Sequence, residues 1–320
     1  MSSSSKPESP IIKSEPTTPE PWLQAAEIEG ERVGQERRRN RKVADPDMWY
    51  KLYPVSDPPV IPRQHLKYLD PNLLSKRPGA CVRLQDLGYI SKHGWDVQQN
   101  EEEALHLVRK HTSIPVPEVH ISSYSTSKSG DRTSTILMEY IQGSPLDVVW
   151  DTLDDASKKR ACTQVWSFVN QLRNIPKPPE LSHLYQCCAD GSPSKNVLIE
   201  DTVSPPRPLL DDNALRNRIY EQYLLHCGTL HRHDLQELLP HSSKSVFTHD
   251  NLAPKNILVD EDGTITGIVG WEWAGWYPDY WEYAMTQKQW VTPDWMDWMD
   301  RTRPQDWDIT GIYKANKVLF

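Results

Sequence analysis

The chain has 320 residues, with 36 Lys and Arg against 44 Asp and Glu, so its formal charge is -8 and its pI about 5.8. That balance is opposite to the basic footprint of a nucleic-acid binder, and no apolar run of about 18 residues is present to span a membrane. The five Cys are odd in number and form no C-x-x-C pair, which fits reduced thiols and, with an N-terminus lacking the apolar core of a signal peptide, a cytoplasmic protein.

Residues 1–45 are expected to be a disordered tail. Ser2 to Ser5 and then Pro7, Pro10, Pro16, Pro19 and Pro21, set among Ser, Lys and Glu, offer too little apolar surface for a core. Within it, Gln24 to Lys42 favours a helix ending in Arg37-Arg38-Arg39-Asn40-Arg41-Lys42. A basic run of this kind could be a nuclear address or a contact for an acidic partner. The reading adopted is a solvated helix end, its cations near the negative end of the helix dipole. Residues 46–72 form an N-terminal extension.

Farther along, Thr135 to Gly143 opens as an apolar run that reads as a buried strand. His231-Arg232-His233-Asp234 could offer metal ligands, but without a second cluster it reads as a polar helix turn. Ile257-Leu258-Val259 and Thr264-Ile265-Thr266-Gly267-Ile268-Val269 are β-branched runs joined by Asp260-Glu261-Asp262-Gly263, which predicts a hairpin. Its incoming end carries His249, Asn251 and Asn256 and its outgoing end Gly270 and Glu272, so the hairpin would gather these groups at one sheet edge. Eight of the 13 Trp lie between Trp271 and Trp307. An aromatic cage for a quaternary ammonium is one use for them, and packing of the C-terminal region is the expected one.

The stretch His249-Asp250-Asn251-Leu252-Ala253-Pro254-Lys255-Asn256, followed after the hairpin by Gly270-Trp271-Glu272-Trp273-Ala274-Gly275-Trp276, resembles the aminoglycoside phosphotransferase and choline kinase-like family, especially its fungal branch. The family signature is a His, any residue, an Asp, four residues and an Asn, then Asp-Trp-Glu. The resemblance runs from about Leu73 to the C-terminus. It implies an α+β, bilobal protein kinase-like fold, with a small antiparallel-sheet N-lobe over residues 73–140 and a larger, mainly helical C-lobe over residues 141–320. In that frame Tyr89 to Gly94 resembles the strand that offers a Lys, here Lys92, to nucleotide phosphates. Glu101 to Val108 resembles the following helix, with Glu103 as the partner of Lys92. His111 to Pro117 links back to the sheet, and Met138-Glu139-Tyr140 would cradle adenine through backbone groups. ATP and Mg²⁺ are the implied cofactors, with Asn256, Gly270 and Glu272 at the metal position and Asn251, His249 and Asp250 in the catalytic loop.

Two acids of this pattern are replaced, by Asn251 and Gly270. Phosphoryl transfer depends mostly on positioning and charge neutralisation, so Asn251 could still orient a hydroxyl. As an amide it accepts no proton at neutral pH, which costs on the order of 10²–10⁴ in rate. In extended backbone Asp250 would point to the opposite face and Glu272 to the same face as position 270, where its carboxylate could partly replace a metal ligand. The expected reading is a pseudokinase-like binding or regulatory protein acting on a small molecule. An active ATP-dependent small-molecule phosphotransferase and a cleft repurposed for a non-phosphoryl reaction are the alternatives. Substrate choice would lie in residues 145–240 and 276–320, which name no ligand.

Overall fold

The computed structural model describes residues 72–126, 132–288 and 291–319. The tail, the helix within it and the extension before Asn72 lie outside those residues. Five antiparallel strands open the described chain: β1 (Leu73–Arg77), β2 (Ala80–Leu84), β3 (Tyr89–Gly94), β4 (Val119–Thr126) and β5 (Arg132–Glu139), in spatial order β1-β2-β3-β5-β4. Cross-strand partners share a face, and the register places Val82 opposite Lys92, Lys92 opposite Ile136 and Ile90 opposite Met138. Ala80, Lys92, Ile136 and Met138 are buried, so this face looks inward.

Helix α1 (Gln99–His111) packs against that inner face through Ala104, Leu105 and Val108, spaced i, i+1 and i+4, and Glu101 is buried in phase with them. Burying Leu105 and Val108 contributes about 1.5–3 kcal/mol each. The Asn100 side chain ties the start of α1 to the second part of the chain, donating to the Glu272 carbonyl at 3.0 Å and the Ala274 carbonyl at 3.1 Å.

The larger lobe is mainly helical: α2 (Asp155–Leu172), α3 (Asp212–Leu225), α4 (Trp281–Thr286), α5 (Pro293–Thr302) and α6 (Thr310–Leu319). Side-chain caps start α2 and α3, where Asp154 and Asp211 each accept a backbone N–H three residues on. Two small sheets set the loops between the lobes. β6 (Ser144–Pro145), β9 (Ile257–Val259) and β10 (Ile265–Ile268) form one, in order β10-β9-β6; β7 (Cys187–Cys188), β8 (Ser245–Thr248) and β11 (Gly275–Pro278) form the other, in order β7-β11-β8. The predicted hairpin is β9–β10, turned by Asp260 to Gly263 with Gly263 at φ +74°.

Packing is what the Trp-rich region does. Trp271, Trp276, Trp281 and Trp295 are fully buried, and Tyr277 stacks on Trp281 with ring centroids 5.2 Å apart. His231 to Asp234 forms the turn before a short helix, His231 lying 3.4 Å from Asp234, and no group of three or more His, Cys, Asp or Glu among the described residues could hold a metal ion. No helix among them is long and apolar enough to cross a membrane.

Candidate functional site

β8 delivers the loop that begins at His249. The His249 backbone N–H donates to the Glu282 carboxylate at 2.6 Å, its ring Nε2 donates to the Val269 carbonyl at 3.1 Å, and Nδ1 accepts the Asn251 N–H at 3.1 Å. This pattern fixes one neutral tautomer. Burial pulls the imidazole pKa down to about 4 and pushes that of the Glu282 carboxyl up to about 7. The ring also packs against Trp271, centroids 4.4 Å apart.

Asp250 is not in extended backbone. It sits at φ +66°, a left-handed conformation that costs most residues roughly 1–2 kcal/mol and that Asp tolerates better than most. Its carboxylate turns into the larger lobe, where it accepts Asn196 Nδ2 at 2.9 and 3.0 Å, Trp281 Nε1 at 2.6 Å and the Tyr277 hydroxyl at 3.5 Å. Burial raises its pKa, against the pull of Lys288 and these donors. His249 and Asp250 are both 0% exposed. Expected among the catalytic residues, they present no side-chain surface to the cleft in this conformation, and their hydrogen bonds shape the loop.

Asn251, Asn256 and Gly270 meet at its open side, and each is partly exposed. Asn256 Nδ2 donates to the Asn251 carbonyl at 2.9 Å, and the Asn256 carbonyl accepts the Val269 N–H at 2.9 Å. Gly270 has φ +84°, and a Cβ built on it would lie 2.9 Å from Asn256 Cγ and Oδ1.

Lys92 reaches the site from β3 and bonds two carboxylates, Glu101 at 2.6 Å and Glu272 at 2.9 Å. Glu103 was expected as its partner, and the structure corrects this. Glu103 lies two residues from Glu101, about 200° around the helix, where it accepts a hydrogen bond from Gln99 instead. Glu272 also departs from expectation, because Trp271 to Ala274 is a turn closed by the Ala274 N–H on the Trp271 carbonyl rather than extended backbone. The turn aims the Glu272 carboxylate at Lys92 and at Arg77, 3.7 Å away. Arg77 in turn pairs with Asp96 at 2.6 Å, and Asp96 with Lys195 at 2.6 Å. Burial pulls the Lys92 pKa down, but the two carboxylates outweigh it and raise it to about 12. Burial likewise lifts Glu272, and Lys92 with Arg77 overcomes it to leave about 2, whereas burial keeps Glu101 above the usual carboxyl value.

Met138 is buried opposite Ile90, Glu139 is exposed and Tyr140 is partly exposed. The Glu139 N–H donates to the Glu118 carbonyl at 2.8 Å and the Tyr140 N–H to the Gly88 carbonyl at 2.9 Å, so these two donors are taken up within the N-terminal lobe. A cavity of about 510 Å³ opens beside this segment on the side of Thr112 to Val116, and Lys92, Asn251 and Glu272 do not line it.

Comparison with known proteins decides the relationship. The profile of the phosphotransferase enzyme family, APH, matches residues 96–305, more than half of the chain. The chain belongs to this family. Among solved structures it is similar to the GDP complex of wild-type aminoglycoside 2'-phosphotransferase-IIIa, with a TM-score of 0.51 and 17% identity, covering 81% of this chain and 88% of that one. It is also similar to the streptomycin-ATP-APH(2")-IIa ternary complex, with a TM-score of 0.51 and 15% identity over 79% of this chain and 84% of that one. No curated protein matches the chain. The shared fold is the kinase-like one, an antiparallel sheet lobe and a helical lobe; in this chain the charged cluster lies between them.

In this phosphotransferase fold, the residues that sequence reasoning missed are Glu101, Arg77, Asp96, Lys195, Asn196 and Glu282. Only Glu101 left a signal, its phase with Ala104, Leu105 and Val108. The others come from segments far apart in the chain.

Proposed function

We propose that this family member is a pseudokinase-like binding or regulatory protein of the cytoplasm, with weak or lost phosphoryl transfer and a small-molecule ligand. One observation carries the reading: among the described residues, no carboxylate is available at the open side of the loop. Asn251 is an amide, Gly270 has no side chain, Asp250 is buried and Glu272 is committed to Lys92 and Arg77. Mg²⁺ prefers carboxylate and phosphate oxygens in a strict octahedron, and the neutral Asn256 oxygen beside Gly270 does not fit that demand. Substitution of the two acids, in the manner of a degraded fungal-branch catalytic loop, accounts for this donor set.

A nucleotide fits better than the metal. Lys92 supplies a cation, and Val82 and Ile90 share its inward face of the sheet as an apolar roof for a base. The solved relatives hold GDP, or ATP with streptomycin, which supports a nucleoside phosphate and a small polar compound as the ligands to test. Binding is expected to be weak, because Lys92 is already shared by two carboxylates.

The test is calorimetry with ATP, with and without Mg²⁺, beside a turnover assay against small hydroxylated acceptors. Weak binding that Mg²⁺ scarcely changes, with negligible turnover, is expected. Tightening by a hundredfold on adding Mg²⁺, about 2.7 kcal/mol, would show an intact metal site and overturn the reading. Brisk ATP-dependent phosphorylation would replace it with an active phosphotransferase.

A further inference from the structure

We propose that Glu272 is a built-in occupant of the polyphosphate position: its carboxylate bridges Arg77 and Lys92, latches the two lobes together, and must be displaced before a nucleoside polyphosphate can enter, metal-free, on those two cations. The inference rests on the nucleotide cleft of the proposed function and deepens it by assigning Glu272 a role opposite to that of a metal ligand.

Three observations carry the proposal. The first is position: Glu272 Oε2 lies 2.9 Å from Lys92 Nζ and Oε1 lies 3.7 Å from the Arg77 guanidinium, so each oxygen of one carboxylate meets a different cation. A fifth of the Glu272 side chain remains exposed, so it lies within reach of solvent and of an incoming anion. The second is charge balance. Arg77, Lys92 and Lys195 are matched one for one by Asp96, Glu101 and Glu272 in a single connected network. From this network of described residues a polyphosphate therefore meets no net positive charge until one of those acids gives way, and Glu272 is the one on the turn between Trp271 and Ala274. Third, the contacts cross between lobes. Arg77 and Lys92 come from β1 and β3, Glu272 from the loop after β10, and Lys195 of the larger lobe holds Asp96 at 2.6 Å. Asn100 fastens the same turn by its carbonyls, which keeps the turn in place when the side chain swings away.

Removing one unit of negative charge beside two cations strengthens their pull on an anion, because a charge about 4 Å away at a protein surface interacts by several kcal/mol before screening. The experiment uses the full chain in EDTA, with calorimetric titration of ATP, inorganic tripolyphosphate and adenosine into wild type, Glu272→Gln and Glu272→Asp. Glu272→Gln should bind ATP and tripolyphosphate at least about tenfold more tightly than wild type, with adenosine within about twofold. Glu272→Asp keeps the charge but shortens the reach, and should fall between, which preserves the test if the Gln variant folds poorly. Lys92→Met combined with Glu272→Gln should erase the gain. An unchanged or weakened affinity for tripolyphosphate in both variants overturns the proposal, as does an equal gain for adenosine, which would mean a generally opened cleft. Failure here leaves the turnover assay untouched. Brisk wild-type turnover with a tenfold gain in EDTA would sink the pseudokinase reading alone.

Discussion

Asp250→Gly separates a structural from a catalytic role for the acid next to Asn251. The change removes a left-handed non-glycine residue and returns about 1 kcal/mol of backbone strain. It also strands Asn196 Nδ2 and Trp281 Nε1, both buried and both within 3.0 Å of the carboxylate, at about 1–3 kcal/mol each. The net loss should be about 3 kcal/mol, a fall in Tm of roughly 6–12 °C for a protein of this size. Asp250→Asn retains volume, one acceptor and tolerance of positive φ, so it should lose about 1 kcal/mol or less. Chemical denaturation and differential scanning calorimetry of the three proteins make the comparison. Calorimetric ATP titration should show Asp250→Asn unchanged, since the side chain is 0% exposed. A Gly variant as stable as wild type, or an Asn variant that loses binding while fully folded, would refute the structural role.

Three further outcomes are expected. Glu101→Gln should destabilise the protein by about 1–3 kcal/mol, less than the full cost of breaking a buried pair because Glu272 still holds Lys92, while Glu103→Gln should stay within about 0.5 kcal/mol in the same melts. Introducing acids at both positions with Asn251→Asp and Gly270→Asp should raise ATP turnover by at least about 10², each alone giving less because groups serving one transition state are non-additive. The positive φ at 270 and the 2.9 Å approach of a Cβ to Asn256 add a stability loss of about 1–2 kcal/mol to that pair, visible as a lower Tm. The last concerns pH. The pKa of Glu282 is raised from 4.5 to about 7, so the stability it contributes is present below about 4.5 and lost as pH rises through about 7. That of His249 is lowered from 6.5 to about 4, so its contribution is present above about 6.5 and lost as pH falls through about 4. The slopes oppose one another in wild type. Glu282→Gln should unmask the histidine, with unfolding free energy rising by about 2–3 kcal/mol between pH 4.5 and 6.5, and curves parallel to wild type would count against this.

Local chemistry wrote much of the fold into the chain. The β-branched runs flanking Asp260 to Gly263 are the β9–β10 hairpin, whereas the strand over Tyr89 to Gly94, which is β3 with those bounds, was read from the family resemblance. Alternation and turn formation act over a few residues, so residue order suffices for them. The helix after β3 was legible as well, but its inward acid was misassigned: 3.6-residue periodicity buries Glu101 with Ala104, Leu105 and Val108, whereas Glu103 falls on another face. The direction of Glu272, inferred from extended backbone, failed because a four-residue turn sends its carboxylate to Lys92. Asp250 does point away from the side of Asn251, as read, but a left-handed residue rather than extended backbone sends its carboxylate into the core. Residue types alone established that Asn251 and Gly270 bring no acid to the cleft. Which remaining acid could compensate was decided by tertiary structure, since Asn196, Trp281, Arg77 and Lys92 are brought to Asp250 and Glu272 from distant segments, and pairing across such distances follows from packing rather than from local propensity.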